Sequence, residues 1–341
     1  MQSFEAAIRQ LITAASRRVG LVRGFQQALH RPGLTGEVTV CDVNPASPAV
    51  HIADRAFEVP YSDDPGYFEA VRTICVRHQI GLVVPTIDDE IPRFAAVRDQ
   101  FDAIGTRVAA SPLDTALACT DKWETCRRLA AAGVAAAATW LPQELPEAPA
   151  FPLFVKPRSG RGSVQAFPAR DAVELAFFLR YVSAPVIQEF LDGPEFTLDL
   201  LCDFDGRPLS VVPRERVVIR AGVIDRGRTV QDARLIDLAL ACADVFRFAG
   251  PVNIQCRMVD GSPKVFEINP RFSGGIPLTI AAGADFPAKL VDLALGRPVA
   301  PAIGSFRGDL WMSSFEASLF LEPAQLVLER CVHTEAGKGK P

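Results

Sequence analysis

Apolar runs and helical stretches alternate along the first part of the chain, up to about Pro112. LITAAS (11–16) reads as a strand, and Gly20 to Leu29 as a helix with Leu21, Phe25 and Leu29 on one face. EVTVCDV (37–43) is a second strand, Tyr67 to Arg77 a helix and GLVVPT (81–86) a third strand. Near-continuous apolar strands separated by helices predict a parallel sheet covered on both faces, a Rossmann-like lobe.

The pattern changes at Thr120. Asp121 with Glu124 three residues on is a capping-box pair and Gly133 a natural stop, predicting a helix over 121–132. The proline-rich stretch 141–152 is a linker or turn. Strand-like FPLFVKP (151–157), a helix near 171–181 and APVIQEFL (184–191) come next. EFTLDLLCDFDGRPLSVV (195–212) breaks at Asp205-Gly206 like a hairpin. A helix with Leu235, Leu238, Cys242, Val245 and Phe246 on one face precedes two strands, 251–259 and 263–270, around Asp260-Gly261. This half reads as α+β with antiparallel pairs, without internal repeats. The tail 334–341 reads as disordered.

Composition narrows the classes. The 341 residues exceed one small core, and 49% apolar with 22% charged residues is ordinary for a globular chain. A net charge of −4 gives no electrostatic case for nucleic acid or an anionic membrane. No apolar run approaches the ~20 residues of a membrane helix, and the N-terminus does not read as a signal peptide. The expected address is the cytoplasm. The eight cysteines (Cys41, Cys75, Cys119, Cys126, Cys202, Cys242, Cys256, Cys331) show no CxxC and no His at ligand spacing, and read as buried free thiols. His30, His51, His78 and His333 form no mutual pattern and read as structural or solvent-facing.

KVFEINPRFSGG (264–275) carries the clearest chemistry. Strict alternation puts Phe266 and Ile268 on one face of a strand and Glu267 and Asn269 on the other, about 7 Å apart. On the preceding strand Val252, Ile254 and Cys256 face one way and Asn253, Gln255 and Arg257 the other. Pairing across Asp260-Gly261 brings Gln255 to Glu267 and Asn269, a carboxylate and amide oxygens suited to Mg²⁺ with ATP phosphates. Arg271 projects just beyond, where a guanidinium holds a phosphoryl oxygen. Lys156 ends an apolar strand and leads into PRSGRGSV, whose Gly160 and Gly162 let backbone N–H groups approach phosphates. Further on, a break at Gly193-Pro194 separates an apolar strand from one with Glu195, Thr197 and Asp199 on one face.

Taken in order, DKWETCRRLAAAGV, FVKPRSGRGS, VIQEFLDGPEF and VNIQ…FEINPR resemble the ATP-grasp superfamily, nearest its carbamoyl-phosphate synthase large-subunit-like branch. The first 112 residues resemble that family's pre-ATP-grasp domain, through ITAASRRVGLVRGF, CDVNPASPA and PTIDDE. The resemblance implies an α/β and α+β chain: a Rossmann-like pre-ATP-grasp domain over 1–115, then a two-lobed ATP-grasp domain. Its small lobe would be 116–190 and its C-terminal lobe, with the metal site, 191–333. It implies that Lys122 and Lys156 contact ATP phosphates beside Gly160 and Gly162, that Glu189 and Leu191 form the adenine hinge through backbone, and that Glu195 binds ribose. Gln255, Glu267 and Asn269 become ligands of two Mg²⁺ (or Mn²⁺) ions. Arg271, Lys156 and Arg220 become the catalytic cations. One such unit is not a whole carbamoyl-phosphate synthase, which has two and a glutaminase partner.

Asp42 ends a strand where a dinucleotide-binding domain holds ribose, but AASRRVG replaces the glycine fingerprint and argues against that use. Arg17 and Arg18, and Asp88 with Glu90, stand at carboxyl ends of predicted strands, where open sheets bind ligands; a substrate role and helix-end pairing or capping both fit. The expected reaction is phosphoryl transfer from ATP to a small-molecule carboxylate, then attack by an amine. Bicarbonate or carbamate chemistry and a non-catalytic ATP-binding module are the alternatives, with a homodimer left open.

Overall fold

The computed structural model describes residues 6–331 apart from Arg161 and Ala221, so the expected tail and His333 lie outside the described residues. Strands β1 (Ala6–Thr13), β2 (Leu34–Asp42), β3 (Arg55–Glu58), β4 (Ile80–Val84) and β5 (Arg107–Val108) make a parallel sheet in the order β3-β2-β1-β4-β5. β1 begins at Ala6, earlier than LITAAS suggests, because Ile8 already alternates with Ile12 into the same core. It stops at Thr13, where Ala14 and Ser16 turn to φ 46° and 42°. The turn lifts Ser16, Arg17 and Arg18 onto the carboxyl edge of the sheet.

Helix Val19–Leu29 buries the predicted face, Leu21, Phe25 and Leu29, with Val22 and Ala28. A later part of the chain packs on it. A Cβ added to Gly20 would lie 2.6 Å from Pro277 Cγ, and one on Gly24 2.8 Å from Ile280 Cδ1. Two bare positions one turn apart therefore let helix Ile276–Ala281 close on this helix. Arg31 adds a two-pronged pair to Asp292 at 2.7 and 3.2 Å. Phe272, Ile276, Phe286 and Leu290 thus share a core with Ile12, Val22 and Phe25, and the first sheet and the last part of the chain are packed as one body.

That core contains a flaw. Gln10 is fully buried on β1, and neither its Oε1 nor its Nε2 has a hydrogen-bond partner among the described residues. An unsatisfied buried amide costs about 1–3 kcal/mol, so an apolar side chain of similar length should relieve strain on stability. Gln10→Met is expected to raise the free energy of unfolding by about 1 kcal/mol in urea titrations. A lower midpoint would show that the amide is satisfied in solution.

Between the two halves stands a small antiparallel sheet. Its strands β6 (Thr139–Trp140), β7 (Leu153–Pro157), β8 (Phe167–Ala169) and β9 (Pro185–Glu189) lie in the order β6-β9-β7-β8. The helix ahead of it, Lys122–Ala131, is capped by Asp121, whose carboxylate accepts from the N–H groups of Trp123 and Glu124, both at 3.1 Å. Glu124 does not complete a capping box. Its carboxylate turns to Arg127 and Arg128, both at 2.7 Å.

The large sheet is antiparallel: β10 (Glu195–Cys202), β11 (Pro208–Arg220), β12 (Val223–Thr229), β13 (Gly250–Val259), β14 (Ser262–Asn269) and β15 (Trp311–Ser313), in the order β14-β13-β10-β11-β12-β15. Helix Ala233–Val245 covers one face with Leu235, Leu238, Ala239 and Cys242, leaving the other face to line a cleft. The β13–β14 hairpin turns at Asp260 and Gly261 with φ 48° and 77°, the two left-handed positions a tight hairpin needs. Finally β16 (Glu329–Arg330) pairs in parallel with β3 on the first sheet, although the sequence division counts these residues with the C-terminal lobe. Among the described residues, no helix is long and apolar enough to cross a membrane.

Candidate active site

A cleft of about 970 Å³ opens where the three sheets meet. Lys122, Lys156, Gly160, Gly162, Glu189, Leu191, Glu195, Arg220, Gln255, Glu267, Asn269 and Arg271 all line it, and so do Arg17 and Arg18. Sheet register explains the convergence on β14. Gln255 pairs with Glu267 and Asn253 with Asn269, so side chains that alternate onto the open face meet in two rows.

Strict alternation fails one residue earlier. The register shifts between Gln255 and Cys256, so that Cys256 pairs with Val265 and Phe266 is left as the extra residue of a bulge. Val265 and Ile268 are therefore in the core, and Phe266, expected there, turns into the cleft. Lys156 lies over its ring, with Nζ 5.2 Å from the centroid, and donates to its carbonyl at 3.2 Å. An aromatic face beside two lysines makes a flat apolar wall for a heterocycle.

Glu267 is the focus of charge. Lys156 Nζ is 3.9 Å and Lys122 Nζ 4.0 Å from its Oε2, and Asn269 Nδ2 donates to its Oε1 at 3.1 Å. Lys122 also donates to the carbonyl of Gly160 at 2.8 Å, so the glycine loop hangs from it. Both lysines are buried. Burial lowers the Lys156 ammonium to about 8, with Glu267 opposing the shift and Lys122 adding to it. An anion placed between the two lysines would restore the charge. Opposite Asn269, the Oδ1 of Asn253 is buried with no partner among the described residues. One carboxylate, the amide oxygens of Gln255 and Asn269, and this orphaned acceptor are a donor set suited to a hard divalent cation. Asn253 is a cleft residue that the sequence reading placed on the right face without giving it a role.

Lys156 yields a test by pH. Its depressed value means the free protein holds the cation below pH 8 and loses it above, whereas bound phosphate would keep it protonated. The Kd for ATP is expected to rise about tenfold from pH 7 to pH 9, one unit either side of that value. Lys156→Met should bind weakly with no such step in equilibrium titrations. A step of equal size in the variant would assign it to another group. For stability the sign is opposite: from pH 8 to 10.5 the unfolded chain holds more protons at Lys156, so this group makes stability rise with pH.

Other expected residues need correction. Glu195, expected to bind ribose, is engaged by Arg216 at 2.5 Å and Arg257 at 2.7 Å, so its charge is already matched within the sheet. The Glu189 carboxylate likewise goes to Lys264 at 3.0 Å and the N–H of Ala138 at 3.0 Å, and its own N–H donates to the carbonyl of Ala138 at 2.9 Å, so a ligand could use only its carbonyl. Glu90 is not in the cleft. It is 1% exposed and accepts from Thr13 Oγ1 and Tyr67 OH, both at 2.6 Å, in a network inside the first domain. Asp88 lies beside the cleft and pairs with Arg271 at 2.8 Å, touching the phosphoryl-binding candidate instead of a substrate directly. Arg18 donates to the carbonyls of Phe272, Ser273 and Thr86 at 3.1, 3.0 and 2.8 Å, joining the first sheet to the segment after Arg271. Arg17 is exposed at the cleft and has no ion pair with another described residue. Arg220 stands at the mouth, 66% exposed at the side chain, 3.3 Å from Glu316 and 3.7 Å from Asp225.

The sequence reading gave no role to Arg214 and Arg216 of PRERVVIR. Arg214, 1% exposed, forms a two-pronged pair with Asp199 at 2.8 and 3.1 Å and donates to Ser273 Oγ at 2.8 Å. Arg216 adds a bond to the carbonyl of Gly222 at 2.7 Å. Their spacing of two in a strand was the available signal for a shared face.

Residues 182–316 match the family described as "ATP-grasp in the biosynthetic pathway with Ter operon". Over that stretch the chain is similar to the ATP-grasp superfamily. Residues 10–109 match the family described as "PylC-like, N-terminal domain". A curated relative, the uncharacterised protein y4rH of Sinorhizobium fredii, is 28% identical over 168 residues, 43% of this chain. The chain spans about a third of that relative's length, 34%. Among solved structures, a biotin carboxylase from Campylobacter jejuni, crystallised as a complex with β,γ-ATP, superposes with a TM-score of 0.72 at 12% identity, covering 89% of this chain and 74% of its own. The L-amino acid ligase of Bacillus licheniformis gives 0.66 at 20% identity, covering 88% and 77%. At these identities the structures show a shared ATP-grasp fold.

Proposed function

We propose that the chain is an ADP-forming carboxylate–amine ligase, using ATP to make an acyl phosphate that an amine then attacks. The observation that carries this reading is the convergence of Lys122, Lys156 and Asn269 on Glu267 in a cleft that also holds Arg271. Gln255, Glu267 and Asn269, with Asn253 beside them, would hold Mg²⁺ (or Mn²⁺), two ions in the full reading. The metal would supply charge neutralisation across the phosphates. Lys122 and Lys156 hold phosphate oxygens, Phe266 offers its ring to adenine, and the main chain at Glu189 and Leu191 supplies the hinge. Arg271 steadies the transferring group, and Arg220 lies at the mouth where it can close over the phosphate. No nucleophilic side chain is required.

Bicarbonate is the rival acceptor. The cleft favours an organic carboxylate, because Leu21, Ile87, Ile224, Ile276 and Pro277 give it an apolar wall that bicarbonate would not fill. Arg17, exposed at this wall, is suited to an anionic group of the substrate. Such an enzyme works on small molecules in the cytoplasm, in keeping with eight free, buried cysteines. A homodimer stays part of the reading on the resemblance alone, and sedimentation decides it.

The test is ADP release over pools of small carboxylates and amines, with bicarbonate as a separate arm. A carboxylate–amine pair should stimulate release, and Arg17→Ala should raise the carboxylate KM about tenfold, the loss of one charge-assisted contact, while the ATP Kd stays unchanged. Stimulation by bicarbonate alone would overturn the acceptor assignment. No stimulation by any pool, with ATP still bound, would favour a non-catalytic module.

A further inference from the structure

Away from the cleft, the last strand meets the first domain in a way the sequence spacing does not show. His78 ends helix Tyr67–His78, while Glu329 and Cys331 belong to or follow β16. One ligand atom from each lies within 4.8 Å of the others. The His78 ring packs on Phe57, with centroids 4.7 Å apart, and its Nε2 is buried with no hydrogen-bond partner among the described residues. Cys331 is 1% exposed, with Sγ 4.0 Å from Glu329 Oε1. Glu329 is exposed and can turn. A buried imidazole nitrogen without a partner costs stability unless something completes it.

The geometry points to a site for a borderline-soft divalent cation, Zn²⁺, bound by His78 Nε2, the Glu329 carboxylate and Cys331 Sγ. Nitrogen, oxygen and sulfur from three residues are the mixed set zinc accepts, with water in the fourth position. Tetrahedral zinc sets its ligand atoms about 3.3–3.8 Å apart, so the group must contract by about 1 Å. The short final strand and the exposed Glu329 allow that. Binding exchanges one proton for one metal ion: burial raises the Cys331 thiol, so Zn²⁺ displaces the Sγ proton into solvent as the sulfur–zinc bond forms. The facing charges are Arg77, whose Nη1 is 4.0 Å from Sγ, with Arg9 and Glu37 on the neighbouring strands and Glu58 held by Arg330. Arg77 favours thiolate yet opposes the cation, while Glu37 and Glu58 are paired with Arg9, Arg55 and Arg330.

The site would act as a clasp. β15 ends on the large sheet and β16 on the first, so the segment between them is an arm crossing from one to the other. It shows Phe315 and Phe320 to solvent at 88% and 94% exposure, and its far end rests on a two-residue strand. Zinc at Cys331 would fasten that end.

The experiment loads chelator-treated full chain with Co²⁺, then Zn²⁺, without nucleotide. One Co²⁺ should bind with a thiolate-to-metal charge-transfer band, Zn²⁺ should displace it, and about one proton should be released per metal. The oxygen ligands around Glu267 cannot give that band. Cys331→Ser and His78→Gln should each abolish it, lower Zn²⁺ affinity at least about 100-fold, and remove any Zn²⁺-dependent rise in Tm, with ATP binding kept. Absence of the band in the unaltered chain, or its persistence in both folded variants, overturns the site. If Cys331→Ser does not fold, His78→Gln decides alone.

Discussion

Glu267→Gln is expected to lower ATP-dependent ADP release by about 10³-fold or more while the chain stays folded and monodisperse. The side chain keeps its shape and loses only its charge. Two buried ammonium groups, at 3.9 and 4.0 Å, then face each other without the carboxylate that balances them. A divalent cation held as proposed by Gln255, Glu267 and Asn269 would lose its one formal negative ligand. Turnover and not affinity is the decisive reading, taken with circular dichroism to verify folding. Turnover within tenfold of the unaltered chain would dismiss the metal site.

Arg271→Lys is expected to cost about 10²–10³ in kcat with the ATP Kd within a few-fold, because a point charge replaces a planar fork aimed at a group that develops charge only during transfer. Asp88→Asn should give a smaller loss, about tenfold in kcat. Asp88, in the first domain, accepts from Arg271 Nη2 and orients the guanidinium. Arg271 Nη2 is also 3.3 Å from Asn269 Oδ1, so the arginine bridges β14 and the first domain. Rapid-quench measurement of the first turnover separates these effects from product release. If Arg271→Lys changes the ATP Kd as much as kcat, the arginine binds ground-state nucleotide and the assignment of its role fails.

The two predictions rest on residues whose meeting was legible because it is local. The β13–β14 hairpin joins through Asp260-Gly261, so alternation alone carries Gln255 to Glu267. The same rule misplaced Phe266, since a bulge is one extra residue with no compositional mark. The acidic pair Asp88 and Glu90 shows a second limit. Both stand at the end of β4, but the chain turns between them, and the partners that decide their roles, Arg271 for one and Tyr67 with Thr13 for the other, are distant in sequence. The partners of Glu195 were hidden in the same way: Arg216 and Arg257 reach it from strands on either side of its own. Reading the parallel lobe was easy because its strands are apolar on both faces. β12, VIDRGRT, escaped notice because Asp225, Arg226 and Arg228 interrupt its apolar pattern, while only Val223 and Ile224 border the cleft. His78 and Cys331 stand near opposite ends of the chain, and no spacing rule joins them.

Arg18 has a consequence for recombination. Its guanidinium reaches the carbonyls of Phe272 and Ser273, backbone groups next to Arg271, while the adjacent Arg17 faces the cleft. Those acceptors are main-chain atoms, so they need a backbone path and not a particular side chain. A chimera that swaps residues 1–115 from a relative can therefore keep Arg271 in register only if the donor supplies an arginine at the same place and the recipient keeps the 271–277 path. Gly20 and Pro277 impose the matching steric condition. Exchanging the first domain together with 271–295, the stretch that packs on helix Val19–Leu29, should give active hybrids more often than exchange of the domain alone. The packing unit here is discontinuous in sequence, two segments folded against each other with the intervening sheets between them in the chain.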